Sequence, residues 1–285
     1  MNNAIEIRGL CKHYKDFSLQ DVSFNVPGGC IMGFIGENGA GKTTTLKSIL
    51  GLLHTDGGTV SVLGRDPVAE RASVGRDLGV VLDGSFFSPV MRIGDINATM
   101  AHLHPDWDKE LFASYCKRFA LPEGKPYKNF SKGMIAKLML ATALSHHPKL
   151  LILDEATSGL DPVVRSEILD IFLEFIQDEE HTILLSSHIT SDLEKVADYI
   201  TFIHAGRIVF SEPMDDLREQ YGVLKCARAR VDALAGAHVI GRHDSKFDAE
   251  LLVDNLPEAR SKNPDVLAEP ATLDDIMTFL AKGVQ

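Results

Sequence analysis

Hydrophobic residues in the first third of the chain come in short bursts split by glycine-rich turns. "AIEIRGL", "LQDVSFNV" and, after the turn "PGG", "CIMGFIG" predict three strands, the last of them buried. The period then changes. In "ENGAGKTTTLKSILGLL" apolar residues recur at Leu46, Ile49, Leu50 and Leu53, the three-to-four spacing of a helix face. "GGTVSVLGRDP" is hairpin-like and "DLGVVL" is a further strand. From Ser85 to His147 the pattern is mostly helical, through "DWDKELFASYCKRFAL" and "GMIAKLMLATALSHH". Two continuous apolar stretches, "KLLILDEA" and "HTILLSSH", flank a helix expected from Pro162 to about Gln177. Strands of that kind alternating with helices predict an α/β fold whose parallel sheet is covered on both faces. "YITFIHAGRIVF" closes the region as a hairpin.

The texture shifts near Met214. Residues 1–213 form one predicted domain, with the helical part over about 85–147, and residues 214–285 a small C-terminal appendage. The last helix of that appendage has Thr272 as its cap with Asp275 three residues on, and an apolar face at Ile276, Phe279 and Leu280. No internal repeat or low-complexity tract interrupts the chain.

Composition narrows the function classes. With 285 residues, 45% hydrophobic and 24% charged, the chain has ample material for a core. A net charge of -11 lacks the basic excess that phosphate neutralisation demands, so nucleic acid is disfavoured as a partner. Cys11, Cys30, Cys116 and Cys226 are scattered without a CxxC pair, which predicts reduced thiols in a cytosolic protein. No run approaches the roughly 18 apolar residues needed to span a bilayer, so the chain is expected neither to cross nor to enter a membrane unaided.

The chemistry begins at Gly36, Glu37, Asn38, Gly39, Ala40, Gly41, Lys42 and Thr43, with Thr44 following: G-x-x-x-x-G-K-[ST] between a strand and a helix. Glycines there let successive N–H groups converge on a β-phosphate, and the following helix turns its positive end to the same anion. Lys42 is expected to bridge the β- and γ-phosphates of a nucleotide and the Thr43 hydroxyl to ligate Mg2+. Asp154 ends the strand "LLILD" at the sheet edge where that loop lies, suited to hold the magnesium from its other side. Glu155 is then placed to act as general base on a water behind the γ-phosphate. His188 ends another strand at the same edge, where it could contact the γ-phosphate or be a satisfied strand-end histidine.

The order "GENGAGKTT", "FSKGM", "LLILDEATSGLD" and "LLSSH" resembles the ATP-binding-cassette (ABC) ATPases, the nucleotide-binding subunits of ABC transporters, over about Ile5 to Leu217. The resemblance implies a P-loop ATPase domain with a mixed sheet core, an antiparallel β subdomain and a helical subdomain. It places Tyr14 where the family stacks an aromatic on adenine, and His188 at the switch histidine. Ser131 and Gly133 fall in the signature motif, which in the family binds a nucleotide on the opposite subunit. "SGLD", ending in Asp161, falls on the loop along the dimer seam.

Several positions depart from the family pattern. Lys132 replaces the first signature glycine, adding a charge that either strengthens phosphate contact or sits in solvent, and Met134 replaces glutamine. Asp83 stands where the family has a magnesium-sensing glutamine; a carboxylate there can still approach the metal. Ala156 replaces a proline. Trp107 is expected to pack in the core of the helical region, which by resemblance presents a groove to a membrane subunit.

The function implied is ATP hydrolysis by a homodimer or heterodimer of cassettes that sandwiches two ATP with Mg2+ and drives an integral membrane permease from the cytoplasmic face, with export favoured. The competing class is a soluble ATPase acting on ribosomes or nucleic acid. A GTPase is disfavoured because no N-K-x-D motif is present, and a small-molecule kinase because it would not need "FSKGM" or "SGLD".

Overall fold

The computed structural model describes residues 2–82, 84 and 87–283. Its first two strands, β1 (Asn3–His13) and β2 (Ser18–Pro27), pair antiparallel. β3 (Ile31–Ile35), buried at every residue, enters a different sheet and leads into α1 (Lys42–Ile49). The stretch expected to be hairpin-like instead supplies β4 (Gly57–Val62), which returns to β1 so that Ile5 faces Val62 and Ile7 faces Val60. Pairing with β1 finishes a small antiparallel sheet in the order β2-β1-β4. α1 is also shorter than its periodicity suggests. Leu50 caps it and Leu53 lies beyond, because the backbone turns left-handed at Gly51, φ 62°.

The helix α2 (Arg71–Arg76) precedes β5 (Leu78–Val81), an edge strand of the central sheet. α3 (Ile93–Leu103), α4 (Lys109–Arg118) and α5 (Lys132–Leu144) make up the helical region. α4 starts where it does because the Asp108 carboxylate accepts from the backbone N–H groups of Glu110 and Leu111, at 3.0 and 2.8 Å. Its buried face carries Phe112, against which Trp107 packs at a ring separation of 5.2 Å. The Trp107 indole donates to Asn97 Oδ1 at 2.7 Å, so the ring is satisfied within the helical region, as core packing requires.

β6 (Leu150–Asp154) and β7 (Thr182–Ser186) are buried throughout and, with β8 (Tyr199–His204) and β9 (Arg207–Pro213), complete the central sheet in the order β5-β6-β7-β3-β8-β9, which puts β3 between β7 and β8. Every pair in that sheet is parallel except the β8–β9 hairpin. Parallel pairing fixes the consequence for chemistry. The carboxyl ends of β3, β6 and β7 open on one edge, and the register sets Asp154 beside Ser186 and Ser186 beside Phe34. Between β6 and β7 runs α6 (Pro162–Phe175), begun by Asp161, whose carboxylate accepts from the N–H groups of Val163 and Val164, with Pro162 at the first turn. It stops at Phe175, two residues short of the expected Gln177.

After α7 (Thr190–Val196) and α8 (Met214–Gln220), the strands β10 (Gly222–Ala227), β11 (Val239–Asp244), β12 (Asp248–Val253) and β13 (Leu267–Pro270) build an antiparallel sheet, β11-β12-β10-β13. α9 (Leu256–Lys262) and α10 (Leu273–Gly283) cover it. Thr272 and Asp275 exchange hydrogen bonds at 3.0 and 3.1 Å, closing the cap expected there. Ile276 and Phe279 on α10 join the same apolar cluster as Leu193, Met214 and Leu217, while Leu224, Leu251, Val253 and Leu256 make a smaller one. The C-terminal elements thus share the main core.

All four thiols are free among the described residues, and burial pushes the Cys30 and Cys116 thiols up to about 12. No helix among the described residues is long and apolar enough to cross a membrane.

Candidate active site

The loop between β3 and α1 is shaped by two glycines. At Gly41, the residue that precedes α1, φ is 116°, a conformation L side chains rarely adopt. At Gly36 a Cβ would collide with the backbone oxygen of Ile203 on β8, so close strand packing excludes any side chain. Ala40 is buried and accepts from Gly206 N–H at 3.0 Å, which ties the loop to the β8–β9 turn. Inside the curl the Lys42 ammonium donates to Gly36 O at 2.6 Å and to Glu37 O at 3.3 Å. Glu37, Asn38, Gly39, Thr43 and Thr44 line the open side of the cleft.

Thr43 and Asp154 stand 111 residues apart in sequence, yet the threonine hydroxyl donates to Asp154 Oδ2 at 2.9 Å. Asp154 is buried, and its other oxygen has no hydrogen-bond partner among the described residues. A buried carboxylate with one orphaned oxygen beside a hydroxyl suits a hard cation that takes oxygen ligands. Thr43 and Asp154 are the described residues that would hold Mg2+ there. Asp83 lies outside the described residues.

Glu155 is the meeting point of the site. Its backbone adopts φ 54°, strain that costs about 1–3 kcal/mol and is stored mainly at functional positions, and its N–H donates to Ser186 O at 2.9 Å. One carboxylate oxygen lies 2.5 Å from His188 Nδ1 and the other 3.7 Å from the Lys42 ammonium. An anion, a cation and an imidazole from three parallel strand ends therefore converge on one cleft of about 540 Å3, room for a nucleotide-sized ligand.

One lining residue escapes motif inspection, Phe17, while Ser158, the first residue of "SGLD", lines the cleft as well. The signal for Phe17 was local: Tyr14 N–H donates to Phe17 O at 2.8 Å, so both aromatics belong to one tight turn. Phe17 faces the cleft, whereas Tyr14, 47% exposed with its ring 6.5 Å from that of Phe17, is outside the lining. Ser131 caps α5, its hydroxyl accepting from Met134 N–H at 3.2 Å, and Gly133 lies in the first turn beside Val164. Asp161 is engaged as the cap of α6. Lys132 leaves α5 and lays its ammonium against Gly159, in the space a Cβ would fill, where it lines the same cleft as Glu155 and His188.

Residues 19–158 match the ABC transporter family, and the chain is 32% identical over 226 residues to the bacitracin transport ATP-binding protein BcrA of Bacillus licheniformis, covering 77% of this chain and 73% of that one. The chain belongs to the ABC transporter ATP-binding proteins. A second ABC relative, the daunorubicin/doxorubicin resistance ATP-binding protein DrrA of Streptomyces peucetius, is 31% identical over 281 residues, or 95% of this chain and 81% of that protein. A solved ATP-binding subunit of an ABC transporter superposes with a TM-score of 0.68 at 27% identity, covering 75% of this chain and 92% of that one. The α/β fold is that of an ABC ATPase, and membership makes the chain an ATP-binding, ATP-hydrolysing transporter subunit.

Proposed function

We propose that this ABC ATPase drives an exporter. Two cassettes, identical or different, close head to tail around two ATP and pull on an integral membrane permease from the cytoplasmic side. Export is supported by the relatives, which include proteins named for bacitracin transport and daunorubicin resistance. The observation that carries the hydrolytic part is Glu155 held between His188 Nδ1 and Lys42 Nζ.

The steps follow from that placement. The loop N–H groups and Lys42 bind the phosphates, and Lys42 neutralises charge on the β- and γ-oxygens as the bond between them breaks. Thr43 and Asp154 would hold Mg2+, which supplies further charge neutralisation on the phosphate oxygens when bound. Glu155 takes a proton from the attacking water as its oxygen bonds to the γ-phosphorus, and ADP departs as the leaving group. His188, donating from Nδ1, keeps that carboxylate aimed. Ser131 and Gly133 at the start of α5, with the seam loop that ends in Asp161, face the nucleotide of the opposing cassette, and Lys132 adds its charge to the cleft of its own chain. Loss of the γ-phosphate removes the shared contact and lets the cassettes part.

The test is to tag the Glu155→Gln variant in its native cell, extract membranes gently with ATP, and identify what co-purifies. A polytopic membrane protein in near-equal amount is expected. Recovery of ribosomes or nucleic acid, or of no membrane protein, sinks the exporter in favour of a soluble clamp.

A further inference from the structure

One buried charge takes no part in the chemistry above. Asp192, on α7, is 1% exposed, and neither of its carboxylate oxygens has a hydrogen-bond partner among the described residues. Its nearest cation is Arg165 on α6, whose Nε lies 3.8 Å away and is likewise buried without a partner. Buried charges are ordinarily paired and hydrogen-bonded, with charge-assisted bonds near 2.7–2.9 Å. This pair therefore sits about 1 Å outside bonding range.

What the two helices carry gives the pair its meaning. Arg165 also donates from Nη2 to the carbonyl of Leu160 at 3.3 Å, within the loop 158–161 that borders the cleft at Ser158. Asp192 lies four residues after His188, and its own N–H donates to Ile189 O at 3.2 Å, so the segment from the imidazole to the carboxylate is one short structured turn. The far end of α7 is fixed from the C-terminal side. Glu194 accepts from Leu273 N–H at 2.8 Å and its backbone oxygen from Arg218 at 2.6 Å. With that end held, a shift of the seam loop relayed through Arg165 can act only on the end bearing His188.

We infer that Arg165 and Asp192 form a latch through which the loop 158–161 sets the position of His188 against Glu155, so that Asp192 is a positioning residue for ATP hydrolysis. The inference rests on the roles given above to His188 and Glu155. Closing the loop against a partner cassette draws Arg165 onto Asp192, completes their hydrogen bonds and steadies the imidazole on Glu155 Oε2. With the pair apart, as in this structure, the imidazole is held on Glu155 by its own hydrogen bond alone.

The experiment uses the full chain and steady-state phosphate release from ATP with Mg2+, for Asp192→Asn, Arg165→Met, the two together, and each again with His188→Ala; thermal unfolding checks that each variant folds. Each single change is expected to lower kcat about tenfold with KM for ATP within about twofold, and the double change to lower it no further. On His188→Ala neither should add a loss, which separates positioning from general damage. A folded variant with kcat within about twofold of the parent overturns the latch, as does a full tenfold loss repeated on His188→Ala. Should Asp192→Asn fail to fold, Arg165→Met, altered at a side chain 26% exposed, decides by the same criteria. If His188→Ala itself turns over normally, the assignment of His188 fails and the latch with it; if only the latch variants do, the latch alone fails.

Discussion

Replacing Glu155 by glutamine changes one proton-accepting oxygen and almost no volume, so it isolates the general base from the rest of the site. The fold is expected to survive. Gln still offers a carbonyl oxygen to the Nδ1–H of His188, now 2.5 Å from the carboxylate, and the backbone bond from residue 155 to Ser186 O is untouched. ATP binding is expected to hold or tighten, because Lys42 loses the competing anion 3.7 Å away and keeps its full charge for phosphate. Turnover is where the loss falls. General-base catalysis contributes about 10²–10⁴-fold, so kcat is expected to drop at least about a hundredfold, equivalent to about 2.7 kcal/mol on the barrier. Phosphate release under saturating ATP gives kcat, and binding of a fluorescent ATP analogue gives affinity in the same sample. A kcat within about threefold of the parent, with binding intact, would remove Glu155 from the role and leave His188, which also lines the cleft, as the group to test next.

Three further changes probe other parts of the site and fold. Asp154→Asn should keep the Thr43 hydrogen bond but weaken the oxygen pair offered to Mg2+, so the Mg2+ concentration that half-restores turnover should rise at least about tenfold; an unchanged Mg2+ titration would take Asp154 out of the metal site. Gly36→Ala pushes a methyl into the Ile203 backbone oxygen, a contact no rotamer relieves, and should cost about 1–3 kcal/mol in denaturant unfolding together with nucleotide binding. A variant as stable as the parent refutes the close approach. His146 is buried with Nε2 on Leu78 O at 2.9 Å, and burial holds its pKa below the ordinary 6.5. The unfolded chain therefore binds a proton that the folded one does not. Stability should be level above about pH 6.5 and fall below it by up to about 1.4 kcal/mol per pH unit, a dependence that His146→Gln should reduce in unfolding midpoints taken from pH 5 to 8. No reduction would show that other groups govern the acid side.

Much of this protein was set by short-range pattern. Continuous apolar runs such as "LLILD" and "TILLS" could become only strands buried on both faces, and G-x-x-x-x-G-K-T between a strand and a helix admits few uses besides a phosphate cradle. The cap at Thr272 and Asp275 was equally plain, since both partners lie within one turn. Element ends were less so. The apolar period ran on to Leu53, but a left-handed glycine at 51 ended α1, and "GGTVSV" left its neighbours to pair with β1. Those outcomes depend on partners distant in sequence.

The tertiary structure alone decided which residues meet. The sheet order puts β3 between β7 and β8, and only that order brings Lys42, Asp154, Glu155 and His188 to one edge, at distances no spacing of motifs implies. It turned Phe17 into the cleft, committed the Asp161 carboxylate to starting α6, and laid Lys132 against Gly159, where its charge lines the cleft. It also buried Asp192 beside Arg165 and joined the C-terminal elements to the main core through α10. The reason is physical. Periodicity and turn chemistry act between residues a few positions apart and can be seen in a string, whereas ion pairs, orphaned carboxylates and cleft walls arise between strand ends and helices whose proximity is settled by packing and pairing across the whole chain.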